Sequence, residues 1–182
     1  MKFGNEDIYA IEVYHQPQDN NSFFMSGRMC IYLKNKMFGD IEEKYCHLFG
    51  PYDTFIKKIK YLDELEHDFN IKNDINIFKF LDEKLYILKE DDKRSIEQIR
   101  NDMKPFIKFD FMTNSGESFD RTKSFIYMDL NKKIHIMFET GKYNEKAKRF
   151  EDEEIICNVL DKEIFKNVTK DFISWYENIE KK

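Results

Sequence analysis

Apolar and polar residues alternate over several short stretches of this chain, and longer apolar stripes recur at helical spacing. From Tyr9 to Tyr14, Ile11 and Val13 alternate with Ala10 and Glu12, which predicts a strand. A second strand is expected from Phe23 to Leu33, with Met29, Ile31 and Leu33 on one face and Arg28, Cys30 and Tyr32 on the other. Asn35 suits the turn that follows, because Asn tolerates positive φ, and the chain returns through Met37 and Phe38. The clearest hairpin is Ser124 to Glu139, where Ile126, Met128 and Leu130 oppose Ile134, Ile136 and Phe138 across Asn131-Lys132. Further strands are expected at Ile107–Phe111 and Ile155–Leu160, and a hairpin joining Ile77–Leu81 to Leu85–Leu88.

Helical spacing appears three times. Phe55, Ile59, Leu62, Leu65 or Glu66, and Phe69 follow Asp53, a candidate cap. Asp91-Asp92 are expected to cap a short helix bearing Ile96, Ile99 and Met103, stopped by Pro105. The strongest stripe is Phe165, Val168, Phe172, Trp175 or Tyr176, and Ile179, with Asp161 as its cap. Gly141 to Arg149 is expected as a basic loop and Glu151 to Glu154 as an acidic one. Together these elements predict an α+β fold over residues 1–182. It would be one domain: mostly antiparallel sheet built from hairpins, with two to three packed helices including the C-terminal amphipathic one.

Composition narrows the function classes. With 18 Phe and 10 Tyr there is ample material for one core, while 36% charged residues and a mean hydropathy of −0.70 argue against a membrane-embedded chain. Residues 1–7 turn acidic at once and lack the apolar core of a secretory signal, so a cytoplasmic protein is expected. Cys30, Cys46 and Cys157 then read as reduced thiols. The net charge of −5 argues against nucleic acid as the main partner and suits a basic protein partner, whose approach it would speed.

Catalytic signatures are sparse. There is no nucleophile elbow, phosphate loop, dinucleotide fingerprint or zinc-protease helix. Cys46-His47 lacks the second ligand pair that zinc requires, and Asp63 with His67 reads as a local ion pair. Glu42-x-Lys44 with Asp40 and Glu12 resembles a fragment of a metal-dependent nuclease site, which needs carboxylates converging on Mg²⁺. No catalytic, cofactor-binding or metal residue is assigned, and no cofactor is expected. The acidic runs Glu90-Asp91-Asp92 and Glu151-Asp152-Glu153-Glu154 are the candidate partner-binding residues.

Three segments carry a family resemblance: Phe3-Gly4 with Tyr9-Ala10-Ile11-Glu12; Gly27-Arg28, an alternating strand, a turn and Gly39-Asp40; and Phe119-Asp120, the hairpin ending near Phe138 and a closing helix with Trp175. In their order and spacing they resemble the immunity proteins of bacterial polymorphic toxin systems, most closely immunity family 42. The likeness runs over residues 3–65 and more loosely over 119–180. Tyr32 stands where a Trp is common, and Asn35 where the turn often has Gly. The resemblance implies a non-enzymatic protein that binds and neutralises a cognate toxin domain in the producing cell. Phe3, Gly4, Gly27, Gly39, Asp40 and Trp175 are expected to serve the scaffold. A small metal-dependent hydrolase or nuclease, or an α+β module for another ligand, are the alternatives.

Overall fold

The computed structural model describes residues 1–16, 25–43, 46–87, 92–120, 122–144 and 149–180; for 141–144, 149–153 and 180 it describes the backbone. The first sheet holds β1 (Lys2–Asn5), β2 (Tyr9–Gln16), β3 (Ser26–Leu33) and β4 (Lys36–Phe38) in that order, with β5 (Cys46–His47) also paired to β3. All neighbours are antiparallel. The turn between β3 and β4 places Lys34 and Asn35 at φ 50° and 61°, the two-residue geometry that matches strand twist. Asn35 also binds back to the β1–β2 turn, its Nδ2 donating to Asp7 Oδ1 at 2.6 Å. The second sheet is β6 (Ser124–Met128), β7 (Lys133–Asn144) and β8 (Arg149–Asp161). Its first hairpin pairs Ile126 with Ile136 and Met128 with Ile134; Leu130, expected in the ladder, lies in the turn, 60% exposed.

Four α-helices complete the described chain: α1 (Phe49–Lys60), α2 (Asp74–Leu85), α3 (Ile96–Met103) and α4 (Lys162–Glu180). Helix α4 lies across β1 and β2 and packs on α1. Its stripe is buried as expected: Phe165, Phe172 and Tyr176 are closed to solvent, with Tyr9 stacked on Phe165 at 5.6 Å and Tyr52 of α1 on Tyr176 at 4.1 Å. Asn158 of β8 donates to the Ile8 carbonyl at 2.8 Å, joining the second sheet to the β1–β2 turn. Phe38 of β4 stacks on Phe138 of β7 at 4.6 Å, so both sheets share one core. Helix α2 covers the other face of the second sheet, where Phe78 meets Phe125 at 4.9 Å.

Several sequence expectations are corrected. Residues 77–85 form α2 rather than the first part of a hairpin, and Leu88 lies outside the described residues. Ile77, Phe78, Leu81 and Leu85 make one buried helical stripe, and Asn73 caps it by accepting the Asn76 N–H at 2.8 Å. Residues 107–109 form a 3-10 turn instead of a strand. The tighter coil lets both Phe106 and Phe109 turn inward, against Phe80 and Phe69 respectively. Helix α1 begins four residues before Asp53, which instead pairs with Lys57, and ends at Lys60. Ser95, not Asp91 or Asp92, caps α3 through a reciprocal capping box with Gln98. The described parts of 141–154 are strand rather than loops. The ladder set by apolar residues 134–138 and 156–160 continues outward, pairing Lys142 with Glu151 and Asn144 with Arg149. Among the described residues no third strand pairs with this ribbon beyond Phe138, where β6 begins.

Candidate functional site

The residues considered for metal chemistry are engaged in other contacts. Glu12 sits on the outward face of the first sheet, where Tyr14 donates to its Oε1 at 2.8 Å and Tyr32 to its Oε2 at 2.9 Å. Lys2 lies 3.3 Å from the same carboxylate and 5.0 Å above the Tyr32 ring. Partial burial works to raise the Glu12 pKa, but these three donors hold it below the ordinary value. Asp40 turns its Oδ1 to the Glu42 N–H at 2.9 Å, Glu42 is exposed 3.9 Å from Arg28, and Lys44 lies outside the described residues. Among the described residues no cluster of three His, Cys, Asp or Glu side chains is placed to hold a metal. Cys46 and His47 point to opposite faces of β5: the thiol is buried, which pushes its pKa up, and the imidazole is exposed. Asp63 and His67 do not pair. Asp63 binds Lys162 of α4 at 2.6 Å, while the His67 ring packs on Phe69 and Phe109, because the helix has already ended.

The two acidic runs fall on separate elements. Glu90 and Asp91 lie outside the described residues. Asp92 is held by Arg94, whose guanidinium also reaches Asp102 of α3 at 2.7 Å, so its charge is compensated. This network borders a cleft of about 530 Å³ between the end of α2 and α3, lined by Leu85, Ile87, Ile99 and Met103 among charged neighbours. Glu151 to Glu154 occupy successive positions of β8, an edge strand among the described residues, and Glu154 is exposed. Of the four, Glu151 is paired across the ladder with Lys142, whereas Glu154 faces Thr140.

The scaffold candidates lie at three places. Phe3 packs 6.0 Å from Trp175 and 6.2 Å from Phe172, so both ends of the chain meet there. Gly4 approaches α4 so closely that a Cβ would lie 2.8 Å from a Val168 methyl. On β3, a Cβ at Gly27 would meet the Tyr14 carbonyl at 2.4 Å and Leu48 at 2.8 Å; the β2–β3 ladder passes through it in register, without a bulge. Gly39 has φ +89° and faces the Phe119 ring, and Asp40 next to it donates its N–H to the Ser118 carbonyl at 2.7 Å.

Two features escape the sequence. One is the outward face of the first sheet, where Tyr14, Tyr32, Arg28 and Met37 lie around the Glu12 carboxylate; Tyr14 is 51% and Met37 44% exposed. Tyr, Arg and Met are the residue types enriched at protein interfaces. The other is a polar cluster of Asp74, Tyr127, Asp129 and His135, drawn from segments up to 61 residues apart. Only the alternation of β2 and β3 hinted at the first, and no local signal marked the second.

A sequence model of the family described as Immunity protein 42 matches residues 1–175. The chain belongs to the immunity protein 42 family. The match also spans residues 66–118, between the two stretches that carry the resemblance. The fold also resembles the crystal structure of CdiI from Burkholderia dolosa AUO158, with a TM-score of 0.61 and 12% identity, covering 96% of this chain and 99% of that one. At that identity the likeness establishes a shared fold. No curated protein matches the chain. Among the described residues, no helix of this immunity protein is long and apolar enough to cross a membrane.

Proposed function

We propose that this protein acts by stoichiometric binding: it docks on a cognate toxin domain in the cytoplasm of the producing cell and blocks it, without catalysing a reaction. Membership of an immunity-protein family is the observation that carries this reading. The single core shared by both sheets supports treating residues 1–182 as one domain. Protection at low toxin concentration asks for a nanomolar or tighter complex, about −12 kcal/mol. An interface of about 1,600 Å² with buried aromatic or Arg anchors is the usual source of such affinity.

We place the contact on the acidic residues. Asp92 is already bound by Arg94, so the run Glu151 to Glu154 outranks Glu90 to Asp92. It lies where β7 and β8 pair with each other past the start of β6, and its negative charge favours a toxin with a basic surface. The test is co-expression with the toxin domain encoded beside this gene. Rescued growth and co-purification are expected; folded protein that achieves neither refutes the proposal.

A further inference from the structure

His135 stands on the middle strand of the second sheet with a carboxylate at each ring nitrogen. Its Nδ1 is 3.0 Å from Asp74 Oδ1, in the first turn of α2, and its Nε2 is 3.4 Å from Asp129 Oδ2, at the β6–β7 turn. The Tyr127 hydroxyl donates to Asp74 Oδ1 at 2.8 Å, and its oxygen lies 3.0 Å from the same Nδ1. The tyrosine and histidine rings stack at 4.4 Å. A neutral imidazole carries one N–H and can serve only one of the two carboxylates, whereas the imidazolium serves both. Side-chain exposures of 13% for His135, 19% for Asp74 and 27% for Asp129 keep the contacts partly sheltered from water.

We infer that His135, gripped by Asp74 and Asp129, is a proton-dependent clip that fastens the start of α2 and the β6–β7 turn to the second sheet. Asp129 links the two halves, because its other oxygen accepts the Lys133 N–H at 2.8 Å and so shapes the turn. The remaining groups around the clip do not offset it. Across the ladder His135 faces Val159, which carries no charge; Cys157 on the same strand has its thiol pushed up to about 11 by burial and stays neutral. Lys34, from the β3–β4 turn, acts on Asp74 as a second cation.

Burial works to lower the His135 pKa, but the two carboxylates overcome it and hold it above the free value of 6.5. A raised folded pKa means that the contribution is complete below 6.5 and fades as pH rises through the native titration. At the acid end, Asp74 and Asp129 have lowered pKa values, so the clip is also lost once they protonate. It is therefore closed between the carboxylate and imidazole titrations.

The test follows His135 by NMR while amide exchange is recorded for α2, the β6–β7 turn and α4, corrected for the intrinsic rate. Protection of Ile77 to Leu81 is expected to fall as His135 deprotonates, about tenfold for each pH unit by which its native titration exceeds that of an unfolded histidine. Protection in α4 stays level, and His135→Gln removes the dependence in α2. Equal protection across the titration, an equal fall in α4, or a dependence that survives His135→Gln overturns the clip. Should His135→Gln not fold, Asp129→Asn decides instead: the His135 titration must move to lower pH, and an unmoved one overturns the proposal.

Discussion

Replacing Gly39 by Val is expected to destabilise the fold while leaving partner recognition intact. Gly39 holds φ +89°, where a left-handed conformation costs an L residue about 1–2 kcal/mol and a β-branched one at the upper end. Space adds a second penalty. A Cβ would lie 2.6 Å from Phe119 Cε1 and 3.1 Å from Cδ1 and Cζ. Phe119 is closed to solvent and packed on Phe38 at 5.7 Å, so its ring has no empty room to move into. Overpacking of this kind costs about 1–3 kcal/mol, which brings the total to about 2–5 kcal/mol. For a chain of this size, that lowers the melting temperature by roughly 5 to 20 °C.

Circular dichroism melts of wild type, Gly39→Ala and Gly39→Val measure this, with Ala falling between because it adds one carbon to the same site. Toxin affinity, measured well below each variant's transition, is expected to match wild type. An unchanged melting temperature for Gly39→Val refutes the packing argument. A stable Gly39→Val that no longer binds places Gly39 in the contact surface instead.

Phe38→Ala removes the ring that meets Phe111, Phe119 and Phe138 at the junction of the sheets, and should cost about 3–5 kcal/mol in urea unfolding. A loss typical of a surface site would show that the sheets do not depend on this contact. Glu12, whose pKa is held low by Tyr14, Tyr32 and Lys2 against the effect of burial, contributes stability that is lost as pH falls through that lowered value. Glu12→Gln should therefore flatten the acid limb of stability against pH, and an unaltered limb counts against the network. Neutralising Glu151 to Glu154 together should slow toxin association and weaken its salt dependence; a rate unchanged at low salt removes the acidic run from the interface.

The family resemblance and the class of fold are legible in the sequence because they rest on signals carried by short segments. Alternation along Tyr9–Tyr14 and Met29–Leu33, turn-forming Asn35, and the stripe from Phe165 to Ile179 each specify their element within one segment. Short segments with two readings were not legible. Ile77 to Leu85 fits a strand pair or a helix by apolar pattern, and the Asn73 cap together with the surface of Phe125 selects the helix. The charged residues after Phe138 read as loops, since strand there comes from pairing across the ribbon rather than from apolar alternation.

The candidate sites divide the same way. Sequence alone determined where the acidic runs lie and which elements could hold a core, because charge and periodicity belong to neighbouring residues. Tertiary structure alone decided that Tyr32 of β3 and Lys2 of β1 reach Glu12 of β2, and that Asp74 of α2 and Asp129 of the β6–β7 turn meet at His135 of β7. Those contacts join residues from different turns and elements, and their distances exist only once long-range packing has closed the core.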